Sequence, residues 1–486
     1  MEYRPYQDRA KQAVLKAIGA GATAPCLVAP TGSGKTFMGV ETIIELAQGA
    51  PIIWLVHRDE LIEQTVASLR RAGVARVSVL RAHDPRRDDG AQITVASIQT
   101  LIARPELRPW APYVVWDECH HSKGVEWESL SRDYEGSIIL GLTATPERAD
   151  GKPLGDIFDV LIEAASYTEL IDAGHLVPCE VVAPQRSLHD GALAMSVMQA
   201  VEIYAKNQCG IVFCQSIDIA RDIAGSLPLA ACVDGGTHPA MRRSFVEAYR
   251  LGLLDWLTNF QVLTEGFDAP RARVCVLARA CGHISAYLQI VGRVLRPYPG
   301  KDSALLIDLT GENVKRYGVP GTDMDYSLEG AGIRPLGGGK KKKRNAWVCP
   351  SCFVALSALP PSRVCPKCNV PVPRRMVEEY EQDEMERRVA WQCPSCGRDH
   401  YTMPARCLTC GNLSPRGTSA ARESTTSKRE WYLRLLTRAI ENKWRIGWAA
   451  YQFKNKHGQW PPWAWKAEYF AEKGIMENRD GTTSSN

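Results

Sequence analysis

The sequence predicts an α/β protein of two tandem parallel-sheet lobes, followed by two small four-cysteine modules and a helical C-terminal module. Three observations carry this. Short apolar runs alternate with amphipathic segments through the first 165 residues, and the alternation restarts near Glu169. Four Cys-x-x-Cys pairs then fall between Cys349 and Cys410. Continuous apolar runs flanked by amphipathic segments suit strands buried on both faces of a parallel sheet.

The first lobe is expected over 1–165. Its candidate strands are "CLVA" (26–29), "PIIWLV" (51–56), "VSVL" (77–80), "ITVAS" (93–97), "YVVWD" (113–117) and "IILGLTA" (138–144). The second is expected over 166–325, with "IVFC" (211–214), "LAACVD" (229–234), "FQVLTE" (260–265), "VCVLA" (274–278) and "ALLIDL" (304–309). Residues 326–345 contain "LGGGKKKKRNA" and read as a flexible basic linker. The paired cysteines occupy 346–412, divided by a charged segment, 374–391, of helical pattern. A polar linker spans 413–428, and a basic, Trp-rich helical module with a disordered end spans 429–486.

The net charge of +5 conceals a split. From Ala331 onward there are 27 Lys and Arg against 14 Asp and Glu, and eight of the 13 Trp. A basic tail on an acidic body points to a polyanion, nucleic acid first. No apolar stretch approaches the ~20 residues of a membrane span, and "MEYRPYQDRA" has no signal-peptide pattern. A cytoplasmic protein is expected, with no membrane partner.

"APTGSGKT" (29–36) follows a predicted strand and precedes a predicted helix, the context of a P-loop. Backbone amides of Thr31, Gly32, Ser33 and Gly34 would curl around phosphate oxygens at a helix N-terminus. Lys35 would reach the β- and γ-phosphates, and the Thr36 hydroxyl would ligate Mg²⁺. The first glycine of the usual pattern is Ala29 here. Such a site needs a second strand ending in an acid, and "YVVWDE" supplies it. Asp117 would hold Mg²⁺, and Glu118 would orient or deprotonate the attacking water. Cys119, His120 and His121 could suggest zinc, but successive side chains on an extended chain diverge. Cys119 is expected to pack, and His120 to sense the cleft.

The clustered cysteines form two sets. Cys349, Cys352, Cys365 and Cys368 enclose a twelve-residue spacer; Cys393, Cys396, Cys407 and Cys410 enclose ten. Each set suits one tetrahedral structural Zn²⁺ with no open position. Further on, Tyr432, Leu436, Ile440, Trp444 and Trp448 recur every four residues. That stripe is a packed face, or else a base-stacking platform.

"DECH" after "APTGSGKT" resembles motifs II and I of the superfamily 2 helicases, close to the DEAH/DExH group. The other motifs follow in order over residues 3–310. "RPYQ" resembles the upstream element that reads adenine through Gln7. "VHRDELIEQ" (56–64) and "ASIQTL" (96–101) resemble motifs Ia and Ib, and "LTATPER" (142–148) resembles motif III. "IVFCQSID" (211–218) resembles motif IV and "VDGGTHPAMR" (233–242) the element after it. "TEGFDAP" (264–270) and "QIVGRVLRP" (289–297) resemble motifs V and VI. The match is nearest to XPB-type and phage or bacterial DNA helicases.

The resemblance implies two RecA-like lobes with ATP between them. Arg293 and Arg296 resemble arginine fingers that stabilise the transferring phosphoryl. Gln289 would position water, and Asp268 would meet the ribose or the cleft. His120, Thr143 and Thr145 would couple the sites. Arg58, Thr100, Gln215 and Thr264 would contact the nucleic-acid backbone, and Lys340, Lys341, Lys342, Lys343 and Arg344 would add mobile phosphate contacts. The expected function is an ATP-dependent DNA helicase or translocase on single-stranded, forked or branched DNA, in phage or mobile-element replication, recombination or repair. Its cofactors would be Mg²⁺ and two Zn²⁺, and a replication or recombination protein is a possible partner. Alternatives are a duplex translocase that does not separate strands, a nucleotide-gated zinc-ribbon clamp, and an RNA helicase.

Overall fold

The computed structural model describes residues 4–378 except 58, 83, 122–129, 131–132, 148–153, 185–192, 264–268, 329–332 and 336–345. Beyond 378 it describes 391–395, 399–400, 407 and scattered residues between 429 and 485.

The first lobe is a seven-stranded parallel sheet. Its strands are β1 (Pro25–Val28), β2 (Ile52–Val56), β3 (Val77–Leu80), β4 (Ile93–Ser97), β5 (Tyr113–Asp117), β6 (Ile138–Thr143) and β7 (Val160–Glu163), in the order β3-β4-β2-β5-β6-β1-β7. The central strands are apolar on both faces because helices cover both; β2 is buried throughout. One glycine is demanded by this packing. A Cβ at Gly141 would lie 2.5 Å from Phe158.

The second lobe is a six-stranded parallel sheet of β8 (Cys179–Val182), β9 (Gly210–Phe213), β10 (Ala230–Val233), β11 (Trp256–Asn259), β12 (Val274–Leu277) and β13 (Ala304–Asp308). The order is β10-β11-β9-β12-β13-β8. Three strands differ from the sequence expectation: β7 and β8 have no counterpart among the candidate strands, and β11 is displaced. "FQVLTE" looked more strand-like, yet "WLTN" just before it pairs between β10 and β9. Gln261 then takes a left-handed φ of 60°, which ends the extended run. Thr264 and Glu265 lie outside the described residues.

The first cysteine module is joined to the edge of this second sheet. The Ala183 amide donates to the Phe353 carbonyl at 2.8 Å, and Val182 pairs antiparallel with Val354. Ala346, Val348 and Ala355 belong to the same apolar cluster as the lobes. Within the charged segment, Arg374–Glu378 is helical; the remainder lies outside the described residues or enters β pairing at Trp391.

The C-terminal module is a separate compact unit with a small core of its own. Tyr432 and Leu436 are buried with Tyr469 and Phe470, so this part of the stripe packs. Trp444 and Trp448 lie outside the described residues. Ile475–Glu477 pairs with Thr483–Ser485 where the sequence suggests a disordered end.

Candidate active site

The strand β1 delivers the chain to the phosphate-type loop, and the helix Lys35–Ala47 carries it away. Gly32 and Gly34 adopt φ of 93° and 87°, a region L side chains avoid. Lys35 is buried and its Nζ donates to the Ala29 carbonyl at 3.2 Å. Burial lowers its pKa, opposed by the charges of Glu118 and Asp117. The carboxylates therefore keep an ammonium inside the site.

Asp117 closes β5 and is buried; its Oδ1 accepts the Glu118 amide at 3.0 Å. Burial, with Glu118 beside it, pushes its pKa up to about 7. A carboxylate held this far from water favours a compensating cation, which fits a Mg²⁺ ligand. Glu118 has a left-handed φ of 48°. That turn carries its side chain off the strand line toward the cleft. Cys119 is fully buried, 3.8 Å from Cys26 between sulfurs.

Chain from the second lobe completes the cavity. Gly292 ends the helix Ile284–Val291, and a Cβ there would meet Thr31 Cβ at 2.6 Å. A Cβ on Gly32 would meet Arg296 Cγ at 3.3 Å. The cavity encloses about 870 Å³, and Lys35, Thr36, Asp117, Glu118, Arg293 and Arg296 all line it. Thr31, Gly32, Gly34 and Gln7 line it too. Ser33 of the same loop is buried and is not among the residues that line the cavity.

His120 joins the two lobes. Its Nε2 lies 2.9 Å from Gln289 Nε2, and its Nδ1 lies 3.0 Å from Thr143 Oγ1. With the Gln289 amide donating, the ring proton sits on Nδ1 and faces Thr143. Glu118 Oε2 is slightly farther from Nδ1, at 3.3 Å. Thr143 Oγ1 also accepts the Thr145 amide at 3.0 Å and donates to the Thr145 carbonyl at 2.8 Å. Burial holds the His120 pKa well below its usual value, so the ring is neutral.

Gln7 is already engaged: its Oε1 accepts the Arg4 amide at 3.2 Å and its Nε2 donates to the Ser33 carbonyl at 3.2 Å. Tyr6, which sequence reasoning passed over, donates to the same carbonyl at 2.5 Å. Its place inside "RPYQ" was the available signal. Arg4, His175 and Pro270 also line the cavity and were not anticipated.

Among the expected strand contacts, Gln215 is exposed just past β9. The Thr100 hydroxyl accepts the Ala82 amide at 3.2 Å. Arg58, Thr264, Asp268 and Lys340–Arg344 lie outside the described residues.

In the first cysteine module, the four sulfurs of Cys349, Cys352, Cys365 and Cys368 lie within 4.8 Å of one another. The Cys349–Cys368 and Cys352–Cys365 separations are 3.7 and 3.6 Å. A zinc tetrahedron with bonds of about 2.3 Å has sulfur–sulfur edges of roughly 3.8 Å. The two knuckles are built alike, with the Phe353 and Asn369 amides donating back to Cys349 and Cys365 at 3.0 and 2.9 Å. Of the second set, Cys393 and Cys407 are buried; Cys396 and Cys410 lie outside the described residues.

The family described as "Type III restriction enzyme, res subunit" matches residues 1–148, and "Helicase conserved C-terminal domain" matches 195–298. A 51.5 kDa protein of Lactococcus phage (isolate 7-9) is 27% identical over 66% of this chain and 73% of its own length. The DNA 3'-5' translocase XPB2 of Sulfurisphaera tokodaii is 23% identical over 65% of this chain and 83% of its own. The chain belongs to the superfamily 2 helicases.

The solved ATP-dependent Type ISP restriction-modification enzyme LlaBIII shares the fold of this superfamily 2 chain. The TM-score is 0.51, with 17% identity over 65% of this chain and 28% of that one. Of two yeast relatives, irc3 of Schizosaccharomyces pombe and IRC3 of Saccharomyces cerevisiae, the chain spans 57% and 51%. Among the described residues, no helix is long and apolar enough to cross a membrane.

Proposed function

We propose that the chain is an ATP-dependent DNA translocase that couples nucleotide hydrolysis to movement along DNA, with strand separation as its output. One observation carries this reading. Arg293 and Arg296 of the second lobe line the same cavity as Lys35, Asp117 and Glu118 of the first. In the proposed site, Lys35 and the loop amides hold the phosphates, and Thr36 and Asp117 hold Mg²⁺, which supplies charge neutralisation when bound. Glu118 orients the attacking water, and the arginines stabilise charge on the transferring phosphoryl. Because the arginines and the loop sit on different lobes, hydrolysis is tied to cleft closure.

The relatives' names support DNA over RNA and a 3'→5' direction. Translocation on duplex without strand separation is the second reading, favoured by the translocase name of XPB2. A role in phage replication or recombination, and a protein partner there, belong to the same proposal; the phage relative supports the phage setting, and the rest stands on the sequence reading. Zinc in the first cysteine module is supported by its sulfur geometry, and zinc in the second by its spacing. ATPase rates with single-stranded, forked and duplex DNA and with RNA test the substrate, and a strand-displacement assay separates the two readings. Equal turnover with and without every polynucleotide would overturn both.

A further inference from the structure

Lys301 lies in the turn after motif VI and has no place in the machinery above. It is buried, yet it is a lysine. Its Nζ donates to three backbone carbonyls: Ala272 at 2.6 Å, Arg296 at 2.9 Å and Pro270 at 3.2 Å. An ammonium has three N–H donors, and three carbonyls take them. Its own amide donates to the Tyr298 carbonyl at 2.9 Å, closing the turn that brings the side chain back.

The identity of these carbonyls matters more than their number. Arg296 carries the guanidinium that packs over Gly32. Pro270 closes the motif V segment and lines the nucleotide cavity. Ala272 leads into β12. Two segments that reach the same cavity from different parts of the second lobe therefore end on one cation. A core turn needs no charge for packing, and a buried charge is costly unless its geometry is satisfied. Lysine suits the place because it is a compact charge on a thin stem, where a planar guanidinium could not reach three converging oxygens.

We propose that Lys301 is a positioning residue for the Arg296 finger, clamping its backbone to the end of motif V so that the guanidinium is held over the phosphate loop. This rests on the reading of Arg296 as a group that meets the transferring phosphoryl. Lys301 touches no substrate itself; it acts through the backbone it holds. Burial also lowers its pKa, to about 8. Cys209, Arg273, Cys179 and Arg296 are the charged or titratable groups that bear on it. Above that pH the amine keeps two donors and must release one carbonyl.

The test compares full-length K301M, R296A and the double variant by DNA-stimulated ATPase kinetics, with thermal melting and fluorescent-ATP binding alongside. K301M should lower kcat by about 10- to 100-fold, the scale for misplacing a reacting group by about 1 Å. KM and nucleotide affinity should stay within about threefold, and the double variant should be no slower than R296A alone. Multiplied losses in the double variant, or full kcat in a folded K301M, would overturn the proposal while leaving the finger reading intact. Full activity in R296A would instead remove the reading beneath it. If K301M does not fold, the native chain still decides. Its kcat should fall as pH rises through about 8 with KM steady, and the fall should be absent from R296A; an equal fall in R296A overturns the clamp.

Discussion

One imidazole, that of His120, makes a side-chain hydrogen bond across the two halves of the nucleotide site. It accepts from Gln289 of the second lobe and faces Thr143 of the first at 3.0 Å. Removing either side chain should leave ATP binding in place and weaken the response of ATPase rate to DNA. A double-mutant cycle on H120A and Q289A should give a coupling of about 0.5–3 kcal/mol, the range for groups in one hydrogen-bond network. Additive losses would mean the contact carries no signal. The same residue sets a pH dependence. Its folded pKa lies below 6.5, depressed by burial and by His121, Lys35, His283 and His57. The folded state then binds fewer protons than the unfolded, so its contribution is complete above about pH 6.5 and is lost as pH falls. The melting temperature of H120N should depend less on pH between about 5 and 7 than that of the native chain. Two harsher substitutions test the chemistry. K35A should abolish nucleotide binding, and E118Q should keep it while lowering turnover by about 10²–10⁴-fold, the usual worth of a positioned base. Radiolabelled ATP binding beside single-turnover hydrolysis would check both.

At the scale of elements, what was legible follows from how local each cause is. The loop at 29–36 could be read because its glycines answer to backbone φ, which a short window contains. The apolar strands could be read because two covered faces leave no polar position. "WLTN" was missed because its burial comes from neighbouring strands, while "FQVL" offered a more apolar composition and Gln261 concealed a left-handed break. Tyr6 and Lys301 were missed for the same reason: a hydroxyl and an ammonium that find carbonyls remote in sequence leave no periodicity. The cysteine spacing was readable, but the docking of its module was not. The antiparallel bridge from Val182 to Val354 and the Ala183–Phe353 bond are backbone pairings without side-chain signature. Metal in this module should accordingly support the second lobe. With zinc in this module, as proposed, its removal by a chelator, or C365S, should speed amide exchange at Ala183 and lower the melting temperature, because zinc knuckles of this size fold on binding metal. Unchanged protection at Ala183 would show that the pairing holds without zinc.

For the molecule as a whole, the closeness of the lobes is the feature that matters most. A Cβ on Gly292 would clash with Thr31 at 2.6 Å, whereas one on Gly32 would only press on the Arg296 side chain at 3.3 Å. G292A should therefore wedge the cleft, lowering turnover more than nucleotide affinity, as measured by kcat against fluorescent-ATP binding. The motif order made two facing lobes legible, whereas the tightness of their approach depends on distances no sequence pattern encodes. The docked cysteine module has one more consequence. β8 is the outermost strand of its sheet, and its free side is partly occupied by residues 353 and 354. A shortened protein ending soon after Tyr326 would bare a ladder of unused amides and carbonyls, an adhesive rim that invites a second copy to complete it. Such a fragment would be prone to pair or precipitate even with every ATPase motif intact, and light scattering of the shortened and full-length proteins side by side would show it.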